Sequence, residues 1–138
     1  MANEAKKVEL YGSNCEGDVR RYTCADANAI TKGTLLVLSD PRTASGGATS
    51  GAQFAGIAAV DKEASDGSTS IGCWTNGIFE LTASGACAVG HKMILAGGNK
   101  VQDADFGTAA VAASGATIVG TALETASDGE VINVRVLI

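Results

Sequence analysis

The chain has 138 residues, enough for one domain with its own hydrophobic core. Hydrophobic residues make up 46 % of it and aromatic residues only 4 %, so we expect a core of small aliphatic side chains. The net charge of −5 argues against a nucleic-acid partner, because binding phosphates needs a basic surface.

Membrane and secretory signals are both missing from the sequence. No stretch approaches 18 apolar residues, and the start MANEAKK lacks the apolar segment of a signal peptide. We therefore expect a protein that has no membrane partner and stays in the cytoplasm where it is made. The cysteines lack zinc-site spacing, so we predict no metal and free thiols as the default. They are Cys15, Cys24, Cys73 and Cys87.

The first predicted element is an extended N-terminal arm over residues 1–29. It contains a short alternating stretch, VELY, and a second extended piece, VRRYTC. The stretch 1–24 has as many acidic as basic residues, so the net negative charge belongs to the rest of the chain. Arginine beside tyrosine is typical of protein contacts and favours this interpretation over a solvated lead-in. The predicted contact residues are Val8, Leu10, Tyr11, Arg20, Arg21 and Tyr22.

The body, residues 30–138, begins with three predicted strands. They are Thr34–Leu38, Phe54–Val60 and the longer Ser68–Leu81, which is interrupted at Asn76-Gly77 by a hairpin turn or a bulge. A loop of small polar residues around the single proline separates the first two. Trp74, the only tryptophan, is a candidate interface residue as well as a candidate core residue.

A second set of strands follows the same order. Lys92–Ala96 is followed by a Gly-Gly-Asn turn, and Ile118–Leu123 and Val131–Ile138 come later, the last with the clearest period-two alternation in the chain. The segment Asp103–Ala113 allows a short helix, although its central glycine weakens that interpretation.

The two sets read as pseudo-repeats, about 30–81 and 88–138. Each has an apolar strand, an apolar-Gly-x-Ala strand, the letters ASDG and an alternating strand. We interpret Asp66-Gly67 and Asp128-Gly129 as equivalent turns. Three strands cannot easily close a core alone, so the sequence predicts a mainly all-β fold, a small β-barrel or sandwich built from two three-strand units.

Residue groups that suggest chemistry are few. Cys87 and His91 are near in sequence, but nothing completes a nucleophile–base constellation around them. Asp61, Glu63 and Asp66 are close together but lack the closing acidic ligand of a calcium loop, so turn chemistry is the better interpretation. We predict no catalytic, cofactor-binding or metal-binding residues, and thus not an enzyme.

The sequence resembles a known family over nearly its whole length, from about Val8 to Ile138. The most specific stretches are RRYTCADANAITKGTLLVLSDPRTAS and WTNGIFEL, with FAGIAAVDKEASDG and the closing NVRVLI as weaker support. These stretches resemble tailed-virus capsid decoration proteins, also called head decoration or capsid cement proteins.

The resemblance implies a small β-tulip-like fold and a virion structural protein on the outer surface of an icosahedral capsid. It implies a homotrimer that holds neighbouring major capsid proteins together against the pressure of packaged DNA, with no catalytic residues. An N-terminal segment that reaches onto the capsid would correspond here to Val8–Cys24. The alternative is a tail- or spike-associated β-module or a secreted adhesin-like one.

Overall fold

The computed structural model describes residues 3–10, 19–40, 42–47, 52–104 and 118–137. All the regular secondary structure in these residues is β-strand, so the predicted all-β class is confirmed. No helix in the described residues is long and apolar enough to cross a membrane. The helix suggested at Asp103–Ala113 lies outside them, except that Asp103 ends a strand and Ala104 follows it. The strands are β1 (Lys6–Glu9), β2 (Val19–Thr23), β3 (Leu35–Asp40), β4 (Thr43–Ser45), β5 (Phe54–Ala58), β6 (Ser70–Trp74), β7 (Asn76–Thr82), β8 (Lys92–Ala96), β9 (Lys100–Asp103), β10 (Ile118–Ala122) and β11 (Val131–Leu137).

The strands form two units with the same internal order. In the first unit, β2, β4, β3, β5 and β6 make a closed barrel. In the second, β7, β11, β10, β8 and β9 follow one another across a six-stranded sheet to which β1 adds an edge. Strands β4-β3-β5-β6-β2 therefore match β9-β8-β10-β11-β7 in order, so the two units share one strand order.

Backbone hydrogen bonds fix which residues are equivalent in the two units. The Gly33 amide donates to Ala58 at 2.9 Å, and the Gly90 amide donates to Ala122 at 2.8 Å. The isolated bridges Ile30–Lys62 and Cys87–Ala126 are a second matched pair. These pairs relate the start of β3 to the start of β8, and the end of β5 to the end of β10.

The repeat boundaries differ from those expected. Each unit has five strands rather than three, and β7, which the sequence placed at the end of the first unit, is the first strand of the second. Likewise β2, expected in the arm, pairs along its whole length with β6, and β1 pairs with β7. The sequence missed this because VRRYT is exposed at four of its five positions and lacks an alternating apolar pattern.

The repeated Gly-x-Ala motif has a steric cause. A Cβ on Gly56 would lie 2.9 Å from the Trp74 carbonyl oxygen, and a Cβ on Gly120 would overlap the Arg135 carbonyl. Trp74 and Arg135 hold equivalent positions, opposite Ile57 on β5 and Thr121 on β10. The glycine is therefore needed in both units where the fourth strand passes close to the backbone of the fifth.

The two ASDG stretches both form turns but are out of register by two residues. Lys62 and Ala126 hold equivalent positions in the matched bridges to Ile30 and Cys87, and Ser65 and Gly129 each lie three residues after them. Ser65 and Gly129 both have positive φ, 57° and 84°. The structural counterpart of Gly129 is therefore Ser65 and not Gly67, which corrects the expected residue-by-residue equivalence.

Small aliphatic side chains fill the core, as composition indicated. In β3, Leu36 packs into the cluster confined to the first unit, while Leu35 joins a larger cluster shared with the second unit. In β11, Ile132, Val134 and Val136 are buried. Because the larger cluster draws side chains from both units, the units share one core.

Candidate contact surface

The predicted contact residues lie on two strands that flank the connection between β6 and β7. Strand β2 pairs with β6 as far as Trp74, and β1 pairs with β7 from Ile78 to Glu80. We call Trp74–Gly77 the junction. Tyr11 lies outside the described residues. The structure thus brings the β1 and β2 positions to opposite sides of one connection.

On the β1 side, the chain lies unusually close to the junction. A Cβ on Gly77 would lie 2.8 Å from the Glu9 carbonyl oxygen and 3.2 Å from Leu10 Cδ2, and Gly77 has φ +137°. Asn76-Gly77 therefore begins β7 and makes room for β1. Leu10 is half-buried against the shared core, whereas Val8 is 48 % exposed.

On the β2 side, the strand borders an open cavity of about 470 Å³. Arg20 and Tyr22 project into this cavity, and Tyr22 also packs against the interior cluster of the first unit. Arg42 lines the cavity as well, and its Nε donates to the carbonyl oxygen of Arg21 at 3.1 Å. Leu38, Phe54, Ala55, Thr75 and Asn76 complete the lining.

Basic side chains concentrate around the junction. The Nζ atoms of Lys7 and Lys32 each lie 5.7 Å from the centroid of the Trp74 ring. Together with Arg20, Arg21 and Arg42 they form what we call the junction surface, which contains three of the four arginines of the chain. All five are exposed in a chain whose net charge is −5. Exposed basic side chains of this kind can pair with acidic groups of a partner surface.

Sequence reasoning missed Lys7, Lys32 and Arg42 as members of this surface. Arg42 follows the only proline in a loop of small polar residues, and Lys32 precedes a buried strand. Neither has a local signal, because both reach the junction through strand pairings between distant parts of the chain.

Trp74 itself packs inside the protein. It is 6 % exposed, belongs to the shared core, and its ring centroid lies 5.5 Å from that of Phe79. Of the two roles that the sequence left open, burial favours the core role, because so little of the side chain is left for a second copy to cover. The lysines around its ring, and not the ring, present the surface here.

Cys87 and His91 have different surroundings. Burial raises the pKa of the Cys87 thiol, so the nucleophilic thiolate is disfavoured. The imidazole Nδ1 of His91 lies 2.7 Å from Asp103 Oδ2 on the surface. Cys24 and Cys73 are also buried free thiols, and desolvation raises the pKa of Cys73 to about 12. Burial and a raised pKa are the features of packed thiols, and all three of these cysteines have them.

The acidic residues near the first ASDG serve the turn. Asp66 accepts hydrogen bonds from the amides of Ser68 at 2.9 Å and Glu63 at 3.3 Å, and from Lys62 Nζ at 3.2 Å. Asp61 accepts from the Lys32 amide at 2.6 Å. In the part of the chain that the structure describes, no three His, Cys, Asp or Glu side chains group in a way that could hold a metal ion.

Comparison with known proteins gives a family and a fold. A family model described as phage cement protein matches residues 15–138. Among solved structures, the N base of the head fiber gp8.5 of bacteriophage phi29 is similar, with 16 % identity and a TM-score of 0.55. The match covers 86 % of this chain and 92 % of that one, and at this identity it shows a shared fold alone. No curated protein matches significantly.

Proposed function

This chain belongs to the phage cement protein family, and from that premise we propose that it cements neighbouring major capsid proteins from outside an icosahedral capsid. The family makes it a capsid-associated structural protein of the virion, with a non-enzymatic structural role. Stabilisation of the shell against the pressure of packaged DNA, and synthesis in the host cytoplasm before attachment, are parts of the proposal.

The observation that carries the proposed contact is the junction surface. Lys7 and Lys32 lie near the Trp74 ring, Arg20 and Arg42 line the cavity beside Tyr22, and Arg21 and Val8 are exposed on the two flanking strands. Arginine with a tyrosine at a partly apolar cavity is the combination enriched in protein contacts. We infer that Val8, Leu10, Tyr11, Arg20, Arg21 and Tyr22 face the capsid.

We further propose that the protein binds as a homotrimer at three-fold and quasi-three-fold positions, with the β-tulip-like architecture that the resemblance implies. Three weak contacts on one trimer act together, because binding of the first copy raises the effective concentration of the others. Three-fold cyclic association is also a common closed symmetry. Trp74 stays only a weak candidate for the contact between copies, since it is buried within the chain.

The secreted adhesin-like alternative gains no support. Disulfides would have favoured it, whereas Cys24, Cys73 and Cys87 are free thiols. Against the tail- or spike-associated alternative, the match to the phage cement protein family favours attachment to a capsid.

The proposal is tested by adding the purified protein to expanded capsids that lack it and measuring occupancy by cosedimentation. We expect Arg20→Glu with Arg42→Glu to weaken binding at least about ten-fold, the size of roughly two lost charge contacts. The matched control, Lys92→Glu with Arg135→Glu, reverses two exposed basic residues of the second unit and should bind within about two-fold of the original protein.

Cementing itself is measured on DNA-filled heads, by the temperature at which they release DNA with and without bound protein. An unchanged release temperature at full occupancy would contradict cementing while leaving capsid attachment intact. Equal loss of occupancy in both double variants would contradict the junction surface as the contact. Analytical ultracentrifugation of the free protein, and imaging of decorated capsids, test the trimer.

A further inference from the structure

The first strand of each unit, β2 or β7, has an outer edge, and in the described part of the chain only that of β7 is paired with an added strand along its length. Strand β2 is the first strand of its unit and β7 is the first strand of the other, and each pairs on its inner side with the last strand of its unit. On the outer side, β7 carries β1. Among the described strands, the outer side of β2 pairs with β4 alone, through Thr23 and Thr43.

Hydrogen bonds establish the register between these edges. Gly72 accepts from the amide of Ala59 at 3.0 Å, and Asn133 accepts from the equivalent Leu123 at 2.9 Å. Arg21 is opposite Gly72 and Glu80 is opposite Asn133, so Arg21 occupies the position of Glu80. By the same register, Val19 occupies the position of Ile78.

The charge at this position is reversed between the two edges. On β7, Glu80 is opposite Lys6 of the added strand β1, which is a favourable cross-strand pair. On β2, Arg21 stands where Glu80 would be. A strand added to β2 in the same manner needs a carboxylate where β1 has Lys6. The β1 strand of a second copy would instead oppose Lys6 to Arg21, which is unfavourable.

The edge of β2 also has the geometry for strand addition. The Arg21 carbonyl points away from β6, since it accepts the hydrogen bond from Arg42 Nε at 3.1 Å, and the Thr23 amide donates outward to the Arg42 carbonyl at 2.8 Å. Arg42 therefore caps the edge with a side chain that can exchange this bond for a partner. It also lines the cavity of about 470 Å³, which can receive a partner side chain.

We propose that the outer edge of β2, from Val19 to Arg21, binds an extended acidic segment of the capsid protein by strand addition. Backbone hydrogen bonds to the edge supply affinity, a carboxylate opposite Arg21 supplies selectivity, and an apolar side chain enters the cavity lined by Tyr22 and Phe54. That the partner is a capsid protein rests on the proposed function. The preference for an acidic extended chain rests on the fold alone.

Two synthetic peptides test the edge without a capsid. One is NEAKKVEL, the sequence of residues 3–10, and the other is a charge-reversed form, NEAEEVKL, in which the charges of Lys6, Lys7 and Glu9 are reversed and Glu4 is kept. We expect the charge-reversed peptide to shift the amide resonances of Val19–Thr23, to slow hydrogen exchange at the Arg21 amide, and to bind at least about five-fold more tightly than NEAKKVEL. In the Arg21→Glu variant this preference should invert. Equal binding of both peptides, or shifts outside β2, would overturn the proposal.

Expanded capsids provide the second readout. Arg21→Glu should reduce occupancy at least about five-fold, with Arg135→Glu as the control on another exposed strand position. If the original protein and Arg21→Glu decorate equally, strand addition to the capsid is overturned and the proposed function stands. If the original protein does not decorate, the proposed function fails, and the peptide titration still decides whether β2 accepts an acidic strand.

Discussion

Asn99, in the turn between β8 and β9, accepts a hydrogen bond from the backbone amide of Leu35 at 2.7 Å and so joins the second unit to the first. Its Nδ2 donates to the carbonyl oxygens of Asn3 at 2.9 Å and Gly33 at 3.3 Å. Asn99 is 8 % exposed and has φ +60°. One buried side chain therefore satisfies the backbone of β3 and of the N-terminal segment at the same time.

Replacing Asn99 should destabilise the fold measurably. In Asn99→Gly the backbone tolerates positive φ, but the buried Leu35 amide loses its acceptor, so we expect a loss of about 1–3 kcal/mol in the free energy of unfolding. Asn99→Ala should lose about 1 kcal/mol more, because alanine is strained at positive φ. Urea unfolding measures both. A glycine variant as stable as the original protein would show that the side-chain bonds contribute little.

The Asp66 carboxylate should make stability depend on acid. Hydrogen bonding from the Ser68 amide, with help from Lys62, lowers the pKa of Asp66 below the ordinary 3.8. A carboxyl group with a lower pKa in the folded state stabilises that state above pH 3.8 and loses this contribution as the pH falls through the folded pKa. We expect the fall in melting temperature between pH 6 and pH 3 to be smaller in Asp66→Asn. An identical fall in both proteins would contradict this role.

Three cysteines should resist alkylation in the native protein. Desolvation raises the pKa of Cys73 to about 12 and also raises those of Cys24 and Cys87, so few thiolates exist at pH 8. Peptide mapping after iodoacetamide treatment should find these three unmodified without denaturant and modified in it. Rapid labelling of Cys87 in the native protein would contradict a packed thiol. It would favour Cys87 and His91 as a nucleophile–base pair instead.

N-terminal truncations should separate the two early strands. Removing residues 1–10 takes away β1 and the buried Ala5, and should lower the melting temperature while leaving a cooperative transition. Removing residues 1–24 also takes away β2, which closes the barrel and supplies Tyr22 and Cys24 to its interior. That protein should have no cooperative unfolding transition by circular dichroism. If it unfolds cooperatively, β2 is not needed to close the barrel.

Deleting residues 1–24 is a poor test of capsid contact, because it also removes strand β2 from the barrel. Loss of capsid binding after deletion of residues 1–24 would report unfolding as readily as loss of an anchor. Point substitutions of exposed residues such as Arg20 and Arg21 avoid this, because neither side chain is buried in the core.

By itself, the sequence determined the fold class, and its repeated Gly-x-Ala motif lies on corresponding strands, β5 and β10. The alternation in β11 puts Ile132, Val134 and Val136 on one face and Val131 on the other. In the structure the first three are buried and Val131 is 58 % exposed, because period two is a local property of an extended chain beside a core. The repeated glycine before x-Ala marked a strand that passes close to its neighbour in both units. The contact residues on β1 and β2 were named from composition alone, since arginine and tyrosine in an extended segment need no tertiary information.

Tertiary structure decided which strands meet and which charges lie opposite one another. Membership of β2 in the barrel, the position of Arg42 at its edge, and the burial of Trp74 all depend on pairings between residues far apart in sequence. The same holds for the offset between the ASDG turns, which only the bridges of Lys62 to Ile30 and of Ala126 to Cys87 reveal. Hydrogen-bonded register is a property of two segments together, so no pattern within either segment could have specified that Arg21 occupies the place of Glu80.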